Sequence, residues 1–268
     1  MGALNDMITS QLMTSQLMTS ELATAGLVAA EDSGATSLSF PILTMLILVP
    51  MVGAIAVAIS SKRRPEIAKL LAVMTSVGVG AMSIWLLASF EMGGEALSPG
   101  AGFQFSSQHT WIEQWGISYH VGVDGISLFL VVLTGVLFPL AILGIDAHHD
   151  EKPYLAWLLM LEAGVMGAFL SLDLFLFFIF FEIVLVPMYF LIGGWGYENR
   201  VYAATKFFLY TMFGSAFMLV GLIATAMLAR DDLGGLSFDL VEIAEGADFA
   251  ANTGRWLFFA FAIAFAVK

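Results

Sequence analysis

The chain is predicted to be an all-α polytopic membrane protein, a bundle of about six full transmembrane helices followed by a truncated seventh. Three observations lead there. Of 268 residues, 59% are hydrophobic and only 12% charged, with a mean hydropathy of +0.90, whereas soluble domains are about half apolar and a quarter charged. Several apolar runs reach the roughly 20 residues that a helix needs to cross about 30 Å of hydrocarbon. Those runs do not alternate with period two as the strands of a membrane barrel would.

Residues 1–39 form a polar, acidic stretch without Lys or Arg, carrying the direct repeat QLMTSQLMTS at Gln11–Ser20. It lacks the basic and apolar regions of a secretory signal, so it is expected to be a disordered N-terminal tail. A second region, 40–122, holds two membrane helices near 41–60 and 66–90 and a long outer loop. The third region, 123–268, holds helices near 123–145, 153–171, 174–193 and 201–229, and a seventh from about Arg255. The last apolar run, WLFFAFAIAFAVK, gives only about 20 Å of helix at 1.5 Å per residue, so the protein is expected to continue beyond it. The loops near 91–122 and 230–254 are acidic and carry amphipathic pieces such as WIEQWGISYH, which read as surface caps.

Basic residues set the orientation. Lys62, Arg63 and Arg64 follow the first helix, Lys152 the third and Arg200 the fifth, against Arg230 and Arg255 in the opposite loops. The positive-inside rule places the 62–65 loop in the cytoplasm and the N-terminus outside it. The absence of Cys excludes disulfides and thiolate-ligated clusters in this chain, and a net charge of -12 argues against nucleic acid as a partner. His109, His120, His148 and His149 fall in loops or at helix ends without metal-ligand spacing, and no metal site is expected.

Ionisable groups deep in the bilayer cost about 2.5–3.5 kcal/mol on insertion scales and mark ion or proton paths. Glu182, in FFIFFEIVLVPMYFLIGG, is near the midplane of the fifth helix. Pro187, five residues on, frees the carbonyl of Ile183 and predicts a kink beside the acid. Glu162 lies about ten residues from the turn at 171–173, as Glu182 does, so the two acids share a level. If they face each other, their titrations couple; the sequence leaves that direction open, along with a packing role for Glu162. Lys206 is about one and a half turns into the sixth helix, where it either joins the path or snorkels to the interface. Lys268 follows the apolar AFAV, at a depth where burial disfavours the charged ammonium.

The segments YHVGVDGISLFLVVLTGVLFPLAIL (119–143), LEAGVMGAFLSLDLFLFFIFFEIVLVPMYFLIGGWG (161–196), ATKFFLYTMFGSAFMLVG (204–221) and FAIAFAVK (261–268) carry a family resemblance. Over most of 119–268 the chain resembles the antiporter-like subunit M of proton-pumping NADH:quinone oxidoreductase, respiratory complex I. That resemblance implies 14 helices built around two inverted five-helix repeats, of which this chain holds the first three helices and most of one repeat. It also implies that Glu182 pairs with Lys268 on a broken seventh helix, that Lys206 joins them in the proton path, and that pumping is driven by quinone reduction in a neighbouring subunit. NADH, flavin mononucleotide, iron–sulfur clusters and quinone would then sit in partner subunits and none in this chain. Other membrane subunits of the complex, antiporter-like neighbours included, would be the partners, in the inner (plasma) membrane of the cell. The N-terminal tail departs from the family, whose members begin close to the first helix. Two other readings compete: a subunit of a cation/proton antiporter or membrane-bound hydrogenase complex, and a non-transporting membrane scaffold.

Overall fold

A computed structural model describes residues 41–61, 64–91, 102–144 and 151–268. The tail at 1–39 with its repeat, Lys62, Arg63, His148 and His149 lie outside the described residues. The elements in chain order are α1 (Ile42–Ile59), α2 (Pro65–Ser89), β1 (Gln104–Ile112), a 3-10 turn (Glu113–Trp115), β2 (Ile117–Val123), α3 (Gly125–Gly144), α4 (Glu151–Leu170), α5 (Leu174–Ile183), α6 (Leu185–Trp195), α7 (Arg200–Leu233), α8 (Leu240–Gly246) and α9 (Ala251–Val267). Six spans are long and apolar enough to cross a membrane, with α5 and α6 counting as one. The chain is a multi-pass membrane protein, as its hydropathy predicts. The seventh helix starts at Ala251, one turn earlier than its apolar run suggests.

Inside a bilayer each helix must satisfy its own backbone, so helix contacts rest on close packing rather than on hydrophobic contrast. Small residues permit it. A Cβ added at Gly80 of α2 would lie 2.4 Å from the carbonyl oxygen of Gly135 in α3, so these two backbones cross with no room for a side chain. Likewise, a Cβ at Gly167 of α4 would meet the Phe180 ring of α5 at 2.3 Å, and one at Gly214 of α7 would meet Val267 of α9 at 2.5 Å.

The outer loop WIEQWGISYH turns out to be the bend of an antiparallel hairpin, β1–β2, pairing His109 with Tyr119 and Gln108 with His120. Gly116 closes the bend at φ 62, and a Cβ there would lie 1.8 Å from the Leu236 carbonyl oxygen. The hairpin is not isolated. The Leu172 amide donates to the His120 carbonyl (2.8 Å), the Leu240 amide to the Leu172 carbonyl (2.8 Å), and the Phe238 amide to the Gly116 carbonyl (3.1 Å). The turn between α4 and α5 therefore lies between β2 and the segment before α8, each side supplying backbone partners that an irregular turn would otherwise lack. This extended cap sits at the acidic end of the bundle. Arg64, Lys69, Lys152, Arg200 and Lys206 mark the opposite, basic end.

Candidate functional site

The span 174–195 comprises two consecutive helical stretches, α5 and α6. Asp173 starts it, its Oδ1 accepting from the amides of Phe175 (2.9 Å) and Leu176 (3.0 Å). Its α-helical ladder is interrupted at Val184, between α5 and α6. Pro187 has no N–H for the Ile183 carbonyl, and the following bond from Met188 N to Val184 O stretches to 3.4 Å. The break falls two residues after Glu182. This interruption lies one turn before Pro187, where the sequence predicts a kink.

Glu182 is half-buried on the last turn of α5, and its Oε1 is shut away from solvent with no hydrogen-bond partner. Lys268 approaches the same turn from α9. Its ammonium donates to the Phe181 carbonyl and lies 3.4 Å from the centroid of the Phe181 ring. A helix C-terminus carries partial negative charge, and an aromatic face attracts a cation, so both contacts suit a charged lysine. The charge of Glu182 acts on Lys268, yet the two are not within the 4.0 Å of a direct ion pair. Phe177, Phe181 and Phe265 wall this corner, with centroids 5.6–6.4 Å apart. Gly214 and Gly221 on α7 let α9 pack close enough to bring Lys268 to the break.

Glu162 is fully buried in α4. Ser76 Oγ of α2 donates to its Oε1 at 3.0 Å, and Oε2 has no partner. Gly164 packs on Ile183 and Val184, and Gly167 on Phe180, so Glu162 is offset from the level of Glu182 by about three residues, or roughly 4.5 Å along the axis. The two acids thus lie nearly one turn apart in depth rather than at the one level that their equal spacing from the turn predicts, and Glu162 turns to α2 while Glu182 lies toward α9. Lys206 is exposed on α7, its ammonium 5.8 Å from the centroid of the Tyr202 ring one turn toward the basic end. The structure brings Glu182 and Lys268 together and leaves Lys206 apart from them.

A second polar group, at the acidic end, is absent from the sequence reading. His120 Nδ1 donates to Asp239 Oδ2 at 2.5 Å, and Gln108 Nε2 donates to the same oxygen at 3.0 Å. Asp239 Oδ1 caps α8 through the amides of Val241 (2.9 Å) and Glu242 (3.2 Å). Asp173 Oδ2 accepts from the amide of Ser118 at 2.9 Å and from its hydroxyl at 3.3 Å. Burial pushes the Asp239 carboxyl up, but the His120 hydrogen bond, the α8 amides and the His120 charge outweigh it and hold the group below the usual carboxylate range. For Asp173 burial wins over its four hydrogen bonds and raises the carboxyl. The signal available in the sequence was Asp239-x-x-Glu242 ahead of a short apolar run, a helix-start pattern. Among the described residues, no group of three or more His, Asp or Glu converges as metal ligands would.

Comparison with known proteins follows this geometry. Residues 171–268 match the family described as NADH:quinone oxidoreductase/Mrp antiporter, TM. Over 239 residues, 86% of the chain, the sequence is 37% identical to NADH-quinone oxidoreductase subunit M of Rickettsia bellii and covers 46% of that protein. The chain spans about half the length of the curated relatives it matches. Among solved structures, one similar chain belongs to respiratory complex I from Thermus thermophilus with bound NADH: TM-score 0.69, 23% identity, 84% of this chain and 43% of that one. Another belongs to the Mrp complex of a Dietzia species: TM-score 0.65, 14% identity, 84% of this chain and 23% of that one. These two likenesses bear on the fold alone.

Proposed function

We propose that this chain, which is 37% identical to an NADH-quinone oxidoreductase subunit M and spans about half the length of that protein, is a proton-translocating membrane subunit of such a complex. In this reading NADH, flavin mononucleotide, iron–sulfur clusters and quinone bind in partner subunits, and quinone reduction there drives proton movement here. The observation that carries it is the placement of the Lys268 ammonium on the Phe181 carbonyl, one residue from a carboxylate whose Oε1 is buried without a donor. Glu182 is half-buried and Lys268, expected from the sequence to be buried, is exposed beside it; an opposite charge nearby favours the charged form of each. When the pairing is tight, Lys268 holds a proton; when it loosens, the ammonium is left among Phe177, Phe181 and Phe265 and gives the proton up. Pro187 supplies the break at which such a loosening is cheapest, because the Ile183 carbonyl already lacks its helical partner. Glu162, bonded to Ser76, and Lys206, on α7, are the further members of the path.

The same reading has the chain in the plasma membrane with its basic end in the cytoplasm. Arg64, Lys69, Lys152, Arg200 and Lys206 gather at that end, as the positive-inside rule requires.

The test uses the full-length protein in its assembled complex. Glu182→Gln keeps the shape of the side chain and removes the charge that favours protonated Lys268. NADH-driven quinone reduction and pH-gradient formation in membrane vesicles should both fall, with assembly checked on native gels. An assembled variant that pumps at the normal rate would mean that the acid only packs helices, the scaffold reading. The matching family's description also names Mrp antiporters, which favours a second reading as a cation/proton antiporter subunit. A proton gradient formed on imposing a sodium gradient, without NADH, would select it.

A further inference from the structure

At the basic end, α1 and α4 enclose a cleft of about 640 Å³ that the proton path does not use. Its depth is apolar and shallow-sided, because Ala54 and Ala58 on α1 and Ala156 on α4 are small, while Trp157 and Met160 form a taller wall. Trp157 is held upright by stacking on Phe190 of α6, with centroids 4.5 Å apart and planes inclined by 10°. The mouth is polar. Lys152 stands there, donating to the Ser60 carbonyl at the end of α1, and Glu151 beside it is neutralised by Lys69 at 3.2 Å.

We infer that this cleft is a binding site for one anionic phospholipid of the cytoplasmic leaflet, with an acyl chain along the Ala54, Ala58 and Ala156 floor and the phosphate on Lys152. The occupant follows from charge and depth. Although the chain as a whole carries a net charge of -12, the mouth presents Lys152 and Pro65, which Arg64 directly precedes, while its one acid, Glu151, is paired with Lys69. An ammonium has three donors, and the Ser60 carbonyl takes one, so Lys152 can serve a phosphate oxygen without leaving its helix-capping position. Basic pockets between membrane helices on the cytoplasmic side bind acidic headgroups in this way. Inside hydrocarbon the apolar floor gains little from any particular chain, since lipid tails are as apolar as the residues themselves. Selectivity must therefore come from the headgroup. The inference rests on the cytoplasmic orientation of the basic end and is independent of the Glu182–Lys268 pair.

The test exploits Trp157. The full-length protein, in its complex, is placed in nanodiscs of phosphatidylcholine containing a minor fraction of lipid with brominated acyl chains, which quench tryptophan on contact. The Trp157 contribution is the difference between the parent and Trp157→Phe. Brominated phosphatidylglycerol should quench it with an apparent affinity about fivefold above that of brominated phosphatidylcholine, the effect of one basic residue at an anionic headgroup. Lys152→Gln should bring the two lipids level, Ala58→Leu should reduce quenching by both, and sodium phosphate should not compete. Glu182→Gln should leave the quenching unchanged, which separates this site from the proton path. Equal quenching by the two lipids in the parent would reduce the cleft to ordinary lipid contact, and no quenching by either would mean that protein covers it; both overturn the inference.

Discussion

Asp239 is one of two carboxylates that fasten the hairpin cap, and Asp239→Asn should loosen it by a calculable amount. Asp239 is 3% exposed, and its Oδ2 accepts from both His120 (2.5 Å) and Gln108 (3.0 Å). Asparagine can still cap α8 through its oxygen, but the amide nitrogen then faces two donors. If it flips, the cap on Val241 and Glu242 is lost instead. The stranded buried donor on His120 costs about 1–3 kcal/mol and exposed Gln108 can turn to water, so a total of up to about 3 kcal/mol follows. With RT near 0.59 kcal/mol this corresponds to local opening roughly 100-fold more frequent.

Hydrogen exchange of the full-length protein reads it directly. The Leu172 amide, bonded to the His120 carbonyl, and the Ser118 amide, bonded to Asp173, should exchange roughly 100-fold faster, while Leu128 inside α3 should not change. The pH dependence has a definite sign. Asp239 sits below its ordinary range when folded, so its contribution is complete above the unfolded value of about 3.9 and is lost as pH falls through the folded value. Asp173 is raised and acts oppositely: its protonated form is favoured in the fold, so acidification relieves strain there. Protection in the parent should therefore fall below about pH 4 through Asp239, and Asp239→Asn should remove that fall. Protection within about threefold of the parent's at neutral pH would refute the reasoning.

Gly80→Ala should destabilise the α2–α3 crossing by about 1–3 kcal/mol, because its Cβ meets a backbone oxygen at 2.4 Å that cannot rotate away; an unchanged thermal midpoint in detergent would contradict this. The chain has no cysteine, so a single one introduced at Arg64 should react with a membrane-impermeant reagent only after the cells are opened, and one at Trp111, 55% exposed on the hairpin, in intact cells. The reverse pattern would invert the topology. Lys268→Arg should restore assembly but not proton pumping in vesicles, since a guanidinium keeps its proton where an amine must release one.

The sequence alone determined the membrane class, the six spans, the basic end and the presence of carboxylates within the apolar spans. Each of these is local: a helix in hydrocarbon closes its own hydrogen bonds, so run length and charge suffice. The interruption near Glu182 was legible for the same reason, because a missing N–H at Pro187 acts on its own helix. The resemblance carried the Glu182–Lys268 pairing, and the fold sets the two at one corner without a direct ion pair. The direction of Glu162 was not legible, since it depends on Ser76 lying 86 residues away on α2. Nor was the hairpin, read as amphipathic caps. Its second partner is the turn at Ser171–Asp173, and its latch joins His120 to Asp239 across 119 residues. Hydrophobic periodicity says which residues prefer lipid. Which polar side chains meet is decided by how the helices cross, and that is set by close approaches such as Gly80 on Gly135 and Gly167 on Phe180.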